Sequence, residues 1–378
     1  MTLTRRSVLL GAGTTALAAG ITAASATASE AAVAVAPPAS YPHRLTDLVL
    51  RDPYVVADKS SGHYYLYVAN DPVRTGVKGA GTMVYRSTDL KLWSDPVVVF
   101  TAGTDLWGWN GGWAPEVHRW KGRWYLFTTL HNPKKPLPVP RPNASGIPVQ
   151  IPQYERGTVI AVADSLLGPF SVIDKTKPVA PRTFMTLDGT LFEDGKGRPW
   201  MVYAHEWVQK IDGTMEAIPL KKDLSGADGK PIHLFKGSDA TWISQEMPTP
   251  SANQILPYVT DGPQLMHLPG GALAMLWSTY EKTINNTNGT VTGHYVVTYA
   301  VSPSGKLHGP WNQRQPLLRH DTGHGMVFRT LPTKGHPAKP LLVVHRGTKT
   351  PHAKLYEIEL RRDGLRLGKQ RKDLDGTK

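Results

Sequence analysis

The chain is 378 residues long and contains no cysteine. That absence excludes a disulfide scaffold, a thiolate zinc site, an iron–sulfur cluster, a cysteine nucleophile and a lipid-anchored lipoprotein. There is no His-Glu-x-x-His zinc motif, since His205-Glu206 stands alone, and no Gly-x-Ser-x-Gly elbow for serine-centred hydrolysis. Charged residues make up only 19% of the chain against 40% hydrophobic ones, a balance that excludes general disorder and supports a substantial core. Beyond the first segment no long stretch has helical periodicity, and none offers the roughly 20 apolar residues of a membrane span. What is abundant is 36 glycines and 32 prolines without a triplet period, which excludes collagen and points to many short strands joined by turns.

The opening segment reads as an address. Thr4-Arg5-Arg6-Ser7-Val8-Leu9-Leu10 sets paired arginines before an Ala-rich apolar stretch, and Ala24-Ser25-Ala26 or Ala26-Thr27-Ala28 offers a small-residue cleavage site. Residues 1–28 are expected to be a twin-arginine export signal of a secreted bacterial protein, followed by an Ala/Pro-rich linker over residues 29–43. Export of a prefolded chain fits the missing cysteines. The formal charge of +13 invites a nucleic-acid reading, but no recognition helix, ribonucleoprotein motif or long basic block accompanies it. No nucleic-acid partner is expected, and attraction to acidic polymers or an anionic cell wall is the inference that remains. The densest charge lies in Arg361 to Lys378, with seven basic and three acidic residues, so residues 363–378 read as a basic tail.

Between these ends the sequence repeats itself five times. Each unit opens with a short run bearing a polar or acidic residue: Asp52-Pro53-Tyr54, Glu116-Val117-His118, Asp188-Gly189-Thr190, Asp261-Gly262-Pro263 and His324-Gly325-Met326. An apolar strand follows a turn in every unit, over His63–Ala69, Trp124–Leu130, Pro199–His205, Ala272–Tyr280 and Pro340–Arg346. Third strands are expected over Gly81–Asp89, Gly157–Ser165, Gly213–Lys222, Gly293–Ser302 and His352–Leu360. Fourth strands are expected near Val97–Phe100, Phe170–Ile173, Ile232–Phe235 and Pro316–Leu318. The leading residues lie 64, 72, 73 and 63 positions apart. Four strands at that period predict an all-β, five-bladed β-propeller over residues 44–362. The segment from Asn132 to Arg156 holds seven prolines and is expected to be a surface loop between two strands.

In a propeller the first strand of each blade lines the central channel, so Asp52, Glu116, Asp188, Asp261 and His324 are expected to face one axis. Gathering several carboxylates around one axis is costly, and fold stability alone would not select it. Two such groups suit glycosidic bond hydrolysis with inversion: one protonated carboxyl for the leaving oxygen and one carboxylate to activate water, roughly 6.5–9.5 Å apart. Neither a metal nor an organic cofactor is required for that step.

Arg51-Asp52-Pro53-Tyr54, Trp113-Ala114-Pro115-Glu116-Val117, Leu187-Asp188-Gly189-Thr190-Leu191-Phe192, Thr260-Asp261-Gly262-Pro263 and Gly323-His324-Gly325 resemble, in order, the signature segments of glycoside hydrolase family 43. The resemblance runs through roughly Leu45 to Leu360 and implies a five-bladed propeller of an inverting hydrolase acting on arabinose- and xylose-containing polysaccharides. It implies that Asp52 is the general base, that Asp188 orients the acid and raises its pKa, and that the residue before Gly262-Pro263 is the general acid. The family usually carries Glu there, whereas this chain has Asp261; Glu206 in Ala204-His205-Glu206-Trp207 is the second candidate, with Glu116 behind it. His352-Ala353 also stands where an acidic and basic pair is expected.

The remaining candidates have two readings each. Trp113 serves as a sugar platform or as blade packing. His324 helps hold a structural calcium or other ion through water, or is a hydrogen-bonded channel histidine. Arg346 binds a sugar hydroxyl or balances the acidic centre, or is a surface cation. Glu116 and Glu206 are further candidates for substrate contact. The activity expected is exo-acting release of terminal α-L-arabinofuranose by a monomer, with β-xylosidase and galactofuranosidase as rivals and a non-catalytic sugar-binding propeller as the alternative outside the enzyme class.

Overall fold

Short apolar runs cut by Gly and Pro fold as strands, which hold 53% of the described residues against 6% in helices. The computed structural model describes residues 40–137, 151–245, 252, 255–284 and 291–376. The expected export signal, most of the linker and residues 138–150 of the proline-rich segment lie outside the described residues.

Four strands in sequential antiparallel order form the first sheet: Tyr54–Asp58, His63–Ala69, Gly81–Ser87 and Val97–Thr101. The second repeats the plan with Asn110–Trp120, Arg123–Pro136, Tyr154–Ala163 and Ser171–Val172. The third uses Thr186–Glu193, Pro199–His205, Thr214–Pro219 and Ile232–Lys236. An eight-stranded sheet contains the last two units, Asp261–His267, Leu273–Ile284, Val291–Ser302 and Asn312–Gln313, then Thr322–Arg329, Pro340–Arg346, His352–Arg361 and Gly364–Gln370. These two halves meet through a single parallel pairing, Val296 with Thr322.

Three expectations need correction. The fourth strand of the fourth unit is Asn312–Gln313, while Leu318 contributes only an isolated bridge to Val297, because Pro316 has no N–H to continue a ladder. The proline-rich segment begins as strand, with Asn132 opposite Glu155 and Pro136 opposite Tyr154, the ladder shifting register between them. The segment expected as a tail is strand over Gly364–Gln370. Gly364–Gln370 pairs with His352–Arg361, Leu365 and Leu367 face an apolar cluster between charged neighbours, and Leu374 is buried in the core.

The apolar layers sit between consecutive sheets. In Pro199–His205, Met201 and Tyr203 pack toward the second sheet with Phe127 and Ile160, while Trp200, Val202 and Ala204 pack toward the fourth with Met275 and Trp277. Period-two alternation therefore buries both faces of the strand. A further cluster joins the two halves of the eight-stranded sheet, Leu276 and Val297 against Leu342 and Val344. One more contains Leu66, Tyr67 and Met83 of the first sheet together with Leu126 of the second and Phe328 and Val343 of the last. The chain start is tied to the last sheet as well: Val49 bridges His352, and Leu50 N–H donates to the Pro351 carbonyl at 2.8 Å.

The first strand of four of the units is interrupted in the same way. Leu187 and Thr190 are paired, as are Asp261 and Gln264, Gly323 and Met326, and Trp113 and Glu116, and in each case the two residues between are skipped. The first skipped residue is left-handed: Ala114 at φ 42°, Asp188 at 57°, Gly262 at 55° and His324 at 47°. Asp52, at φ 49°, occupies the same place just before the first sheet. Four non-glycine residues in this region each cost roughly 1–3 kcal/mol, a strain that persists only where the surrounding structure imposes it.

Ala114 has no polar side chain to compensate for its φ, so it tests this reading. Ala114→Gly is expected to leave the unfolding free energy in urea unchanged or raise it by up to about 1 kcal/mol. Ala114→Val, branched at Cβ, is expected to lower stability by roughly 1–3 kcal/mol at unchanged m-value. Equal effects of the two substitutions would contradict the backbone argument.

Candidate active site

A bulge swings the side chain that follows a paired residue out of the sheet's alternation. In three units this delivers a polar side chain to one place. Asp52, Asp188 and His324 line a cavity of about 420 Å³, joined by Asp261, which immediately precedes its bulge. The walls are completed by Arg51, Trp113, Glu206, Tyr280, Tyr295 and His345. The three aspartates come from three different sheets and are separated by more than seventy positions at each step. Their meeting is a product of the fold.

His324 lies between two of them, its Nδ1 3.3 Å from Asp52 Oδ1 and 3.8 Å from Asp188 Oδ2. His345 Nδ1 is 3.2 Å from both the backbone N and Oδ1 of Asp52. The Gly262 N–H donates to Asp188 Oδ2 at 3.0 Å, and the Tyr295 hydroxyl donates to Asp261 Oδ2 at 3.0 Å. Tyr295 in turn stacks on the His345 ring at 5.7 Å. The backbone is anchored from below by Thr129, whose hydroxyl accepts the Asp188 N–H at 3.0 Å, and by Ser278, which accepts the His324 N–H at 2.8 Å.

These surroundings divide the carboxyls. Burial works against ionisation of Asp52, but His324, His345 and Arg51 outweigh it and hold the group well below the usual carboxylate range. Burial pushes Asp188 far up, and the nearby Asp52 charge adds to this against the pull of the Gly262 amide. Asp261 is also far up, from burial and then from Asp188, with His324 and Tyr295 opposing. The shifts point in opposite directions, Asp52 toward the carboxylate and Asp188 and Asp261 toward the protonated carboxyl. Such a set can supply a base on one side of a bound molecule and an acid on the other.

The other expected residues divide between the cavity and elsewhere. Trp113 lines the cavity and is 42% exposed, so one face of its indole is available to a ligand. Glu206 lines it too, but Arg156 Nη1 donates to both of its carboxylate oxygens. Glu116 does not line it. It is the first paired residue after the bulge, two past Ala114, buried, accepting from the Thr190 hydroxyl at 2.5 Å and bonded to His118 Nε2 at 2.9 Å. The unit's residue equivalent to Asp52 is Ala114. Arg346 is likewise off the site, exposed and directed to Tyr356, because alternation in Pro340–Arg346 turns His345 inward and its neighbour outward. For His324 the hydrogen-bonded arrangement fits the contacts. Among the described residues no three His, Asp or Glu side chains are arranged to hold a metal ion directly.

Arg51, His345, Tyr280, Tyr295 and Arg156 were not expected at the site. Arg51 directly precedes the first aspartate, and the parity of its strand distinguishes His345 from Arg346. Tyr295 and Arg156 sit on third strands, which a search confined to the first strand of each unit does not reach.

A family model described as glycosyl hydrolases family 43 matches residues 45–336. Among solved structures the chain is similar to an endo-arabinase from Bacteroides thetaiotaomicron, with 34% identity over 86% of this chain and 99% of that one and a TM-score of 0.68. It is also similar to an endo-1,4-beta-xylanase from the same organism, with 21% identity over 85% and 95% of the two chains and a TM-score of 0.58. An alpha-L-arabinofuranosidase from Lactobacillus brevis follows with 16% identity over 84% and 93% and a TM-score of 0.56. The latter two likenesses show the fold alone. No curated protein matches the chain at a significant level.

The division of charge has a direct test. Asparagine tolerates the left-handed backbone of position 324, so His324→Asn removes the imidazole while keeping the bulge. Without the His324 contribution the Asp52 carboxyl is expected to titrate at higher pH, followed by carboxyl-carbon NMR; a midpoint unchanged or lower would contradict the assignment.

Proposed function

Because the chain belongs to glycosyl hydrolase family 43, a family of glycoside hydrolases, we propose that it is an inverting glycosidase in which Asp52 is the general base, Asp261 the general acid and Asp188 the carboxyl that orients the acid and raises its pKa. The observation that carries this reading is the meeting of the three aspartates in one cavity, with Asp52 driven toward ionisation and the other two away from it. Inversion asks for that asymmetry: water is deprotonated on one face of the sugar while the leaving oxygen is protonated on the other. The two carboxyls do this without a metal or organic cofactor. Asp261 is a better acid candidate than Glu206, since Tyr295 engages one of its oxygens whereas Arg156 engages both oxygens of Glu206.

We propose further that the five four-stranded units are the blades of one closed ring. Each consecutive pair of units shares an apolar layer, and the first shares one with the last. The substrate proposed is an arabinose-containing polysaccharide, from which terminal α-L-arabinofuranose is released, by a monomer exported through the twin-arginine route. The likeness to an endo-arabinase supports arabinan as the polymer. One observation favours internal cleavage as a second reading. A cleft of about 430 Å³ adjoins the cavity and shares Arg51, Asp52 and Trp113 with it, which provides room for a chain on both sides of the reacting bond.

These roles have direct tests. Asp52→Asn is expected to lower kcat by roughly 10²–10⁴-fold, and NMR of fresh wild-type product is expected to show the inverted anomer. Asp261→Ala is expected to keep activity on aryl arabinofuranosides with good leaving groups and lose it on natural linkages; that pattern in Glu206→Ala instead would reassign the acid. Asp188→Asn removes a titratable carboxyl whose ionisation opposes that of Asp261, so the acid deprotonates more readily and the alkaline limb of the activity profile moves to lower pH. A reducing-end-labelled arabinan distinguishes the two modes of action, since exo-action releases only arabinose at early times.

A further inference from the structure

Arg156, on the strand Tyr154–Ala163, is almost fully buried and every donor group of its guanidinium has an assigned place. Nη1 donates to both Glu206 oxygens, Nη2 to the Tyr154 hydroxyl at 2.6 Å, and Nε to His131 Nδ1 at 3.1 Å. The guanidinium carbon lies 4.9 Å from the centre of the Trp113 ring and 5.0 Å from that of Tyr154. His131 packs edge-on against the same indole, with ring centres 3.9 Å apart. Burial and the adjacent Arg156 lower the His131 pKa to about 3, so its ring is neutral and Nδ1 is free to accept. Even the backbone leaves room for this cluster: Gly111 is at φ 96°, and a Cβ there would stand 2.2 Å from the His131 ring.

A buried ion pair gains little net stability after desolvation, so the arrangement is better explained by what it holds in place. A guanidinium fixed by a carboxylate, a hydroxyl and an imidazole is rigid, and its flat face stacks on an aromatic ring. The ring it holds is the wall shared by the catalytic cavity and the adjoining cleft. We propose that Arg156, clamped by Glu206, is a positioning residue that fixes the Trp113 indole as a sugar-stacking partition between two binding positions, so that Glu206 anchors the clamp and donates no proton. This rests on the reading of the cavity as a sugar site. It assigns a cause to the buried charge pair beside it.

The test uses the full chain with a linear arabino-oligosaccharide and with a short aryl arabinofuranoside. Arg156→Lys and Glu206→Gln are expected to raise KM for the oligosaccharide about ten-fold, with kcat and the pH profile retained, because a loosened indole weakens stacking and leaves the reacting groups alone. Trp113→Ala is expected to match them, and the Trp113→Ala/Arg156→Lys double variant to be no worse than Trp113→Ala alone. Additive effects would overturn the clamp. So would a large loss of kcat in Glu206→Gln that a good leaving group restores, since Glu206 would then be the acid. Should Arg156→Lys fail to fold, Glu206→Gln and Trp113→Phe carry the comparison, with retained near-ultraviolet circular dichroism as the control for folding. If the wild type binds the oligosaccharide without turning it over, the hydrolase reading fails by itself, and the same ranking and coupling in Kd by calorimetry decide the clamp.

Discussion

Three carboxyl groups cannot occupy one partly dry cavity as three anions, and the arrangement around Asp52, Asp188 and Asp261 follows from that constraint. Mutual repulsion and burial both favour protonation, so at most one charge is held cheaply, and it settles on the carboxyl with the most favourable surroundings. His324, His345 and Arg51 all favour Asp52. Asp188 and Asp261 receive instead an amide and a phenol hydroxyl, which satisfy oxygen lone pairs without delivering a full positive charge. Opposite protonation states in one cavity are thus a consequence of unequal partners around chemically identical side chains, and base and acid are separated by the same inequality.

The repeating plan was legible because apolar runs separated by turn residues carry a period-two signal on both faces. The second strands His63–Ala69, Pro199–His205 and Pro340–Arg346 have the ends the pattern predicts. The outermost strands were harder. Asn312–Gln313 is only two residues long, and in Gly364–Gln370 the buried Leu365 and half-buried Leu367 are interleaved with charges that mimic a solvated tail. The repeat itself is counted from the polar or acidic residue that opens each unit, which places Glu116 in the series. Counted on the left-handed residues 52, 114, 188, 262 and 324, the steps are 62, 74, 74 and 62. A bulge is a backbone state, and side-chain chemistry is an unreliable marker of it: the same position holds Asp, Ala, Asp, Gly and His.

The same distinction governs the site. Aspartates beside Gly or Pro announced themselves, because a carboxylate at the mouth of a turn has no role in packing a sheet. His345 and Arg346 were not separable by residue type, although strand parity separates them. Tyr295 and Arg156 gave no local signal at all, since a tyrosine or arginine on a third strand reads as ordinary sheet composition until its partners are known. Their roles depend on contacts with Asp261 and Glu206, 34 and 50 positions away.

The second residue of each bulge shows why the motif keeps so narrow a vocabulary. It is Pro at 53, 115 and 263 and Gly at 189 and 325. A skipped residue has no ladder partner, so its N–H must be bonded otherwise or be missing, and proline removes the donor outright. Glycine takes the two places where neighbours leave no room for a side chain. A Cβ on Gly189 would lie 2.5 Å from the Thr158 hydroxyl and 2.8 Å from the Met201 sulfur, and one on Gly325 would lie 2.9 Å from Leu342. At Gly189 the remaining N–H is satisfied by that same Thr158 hydroxyl at 3.1 Å. Close packing of the strand behind the cavity and the donor count of the bulge are therefore solved together. The aspartate in front can be varied only chemically, because the residue behind it fixes where its carboxyl points.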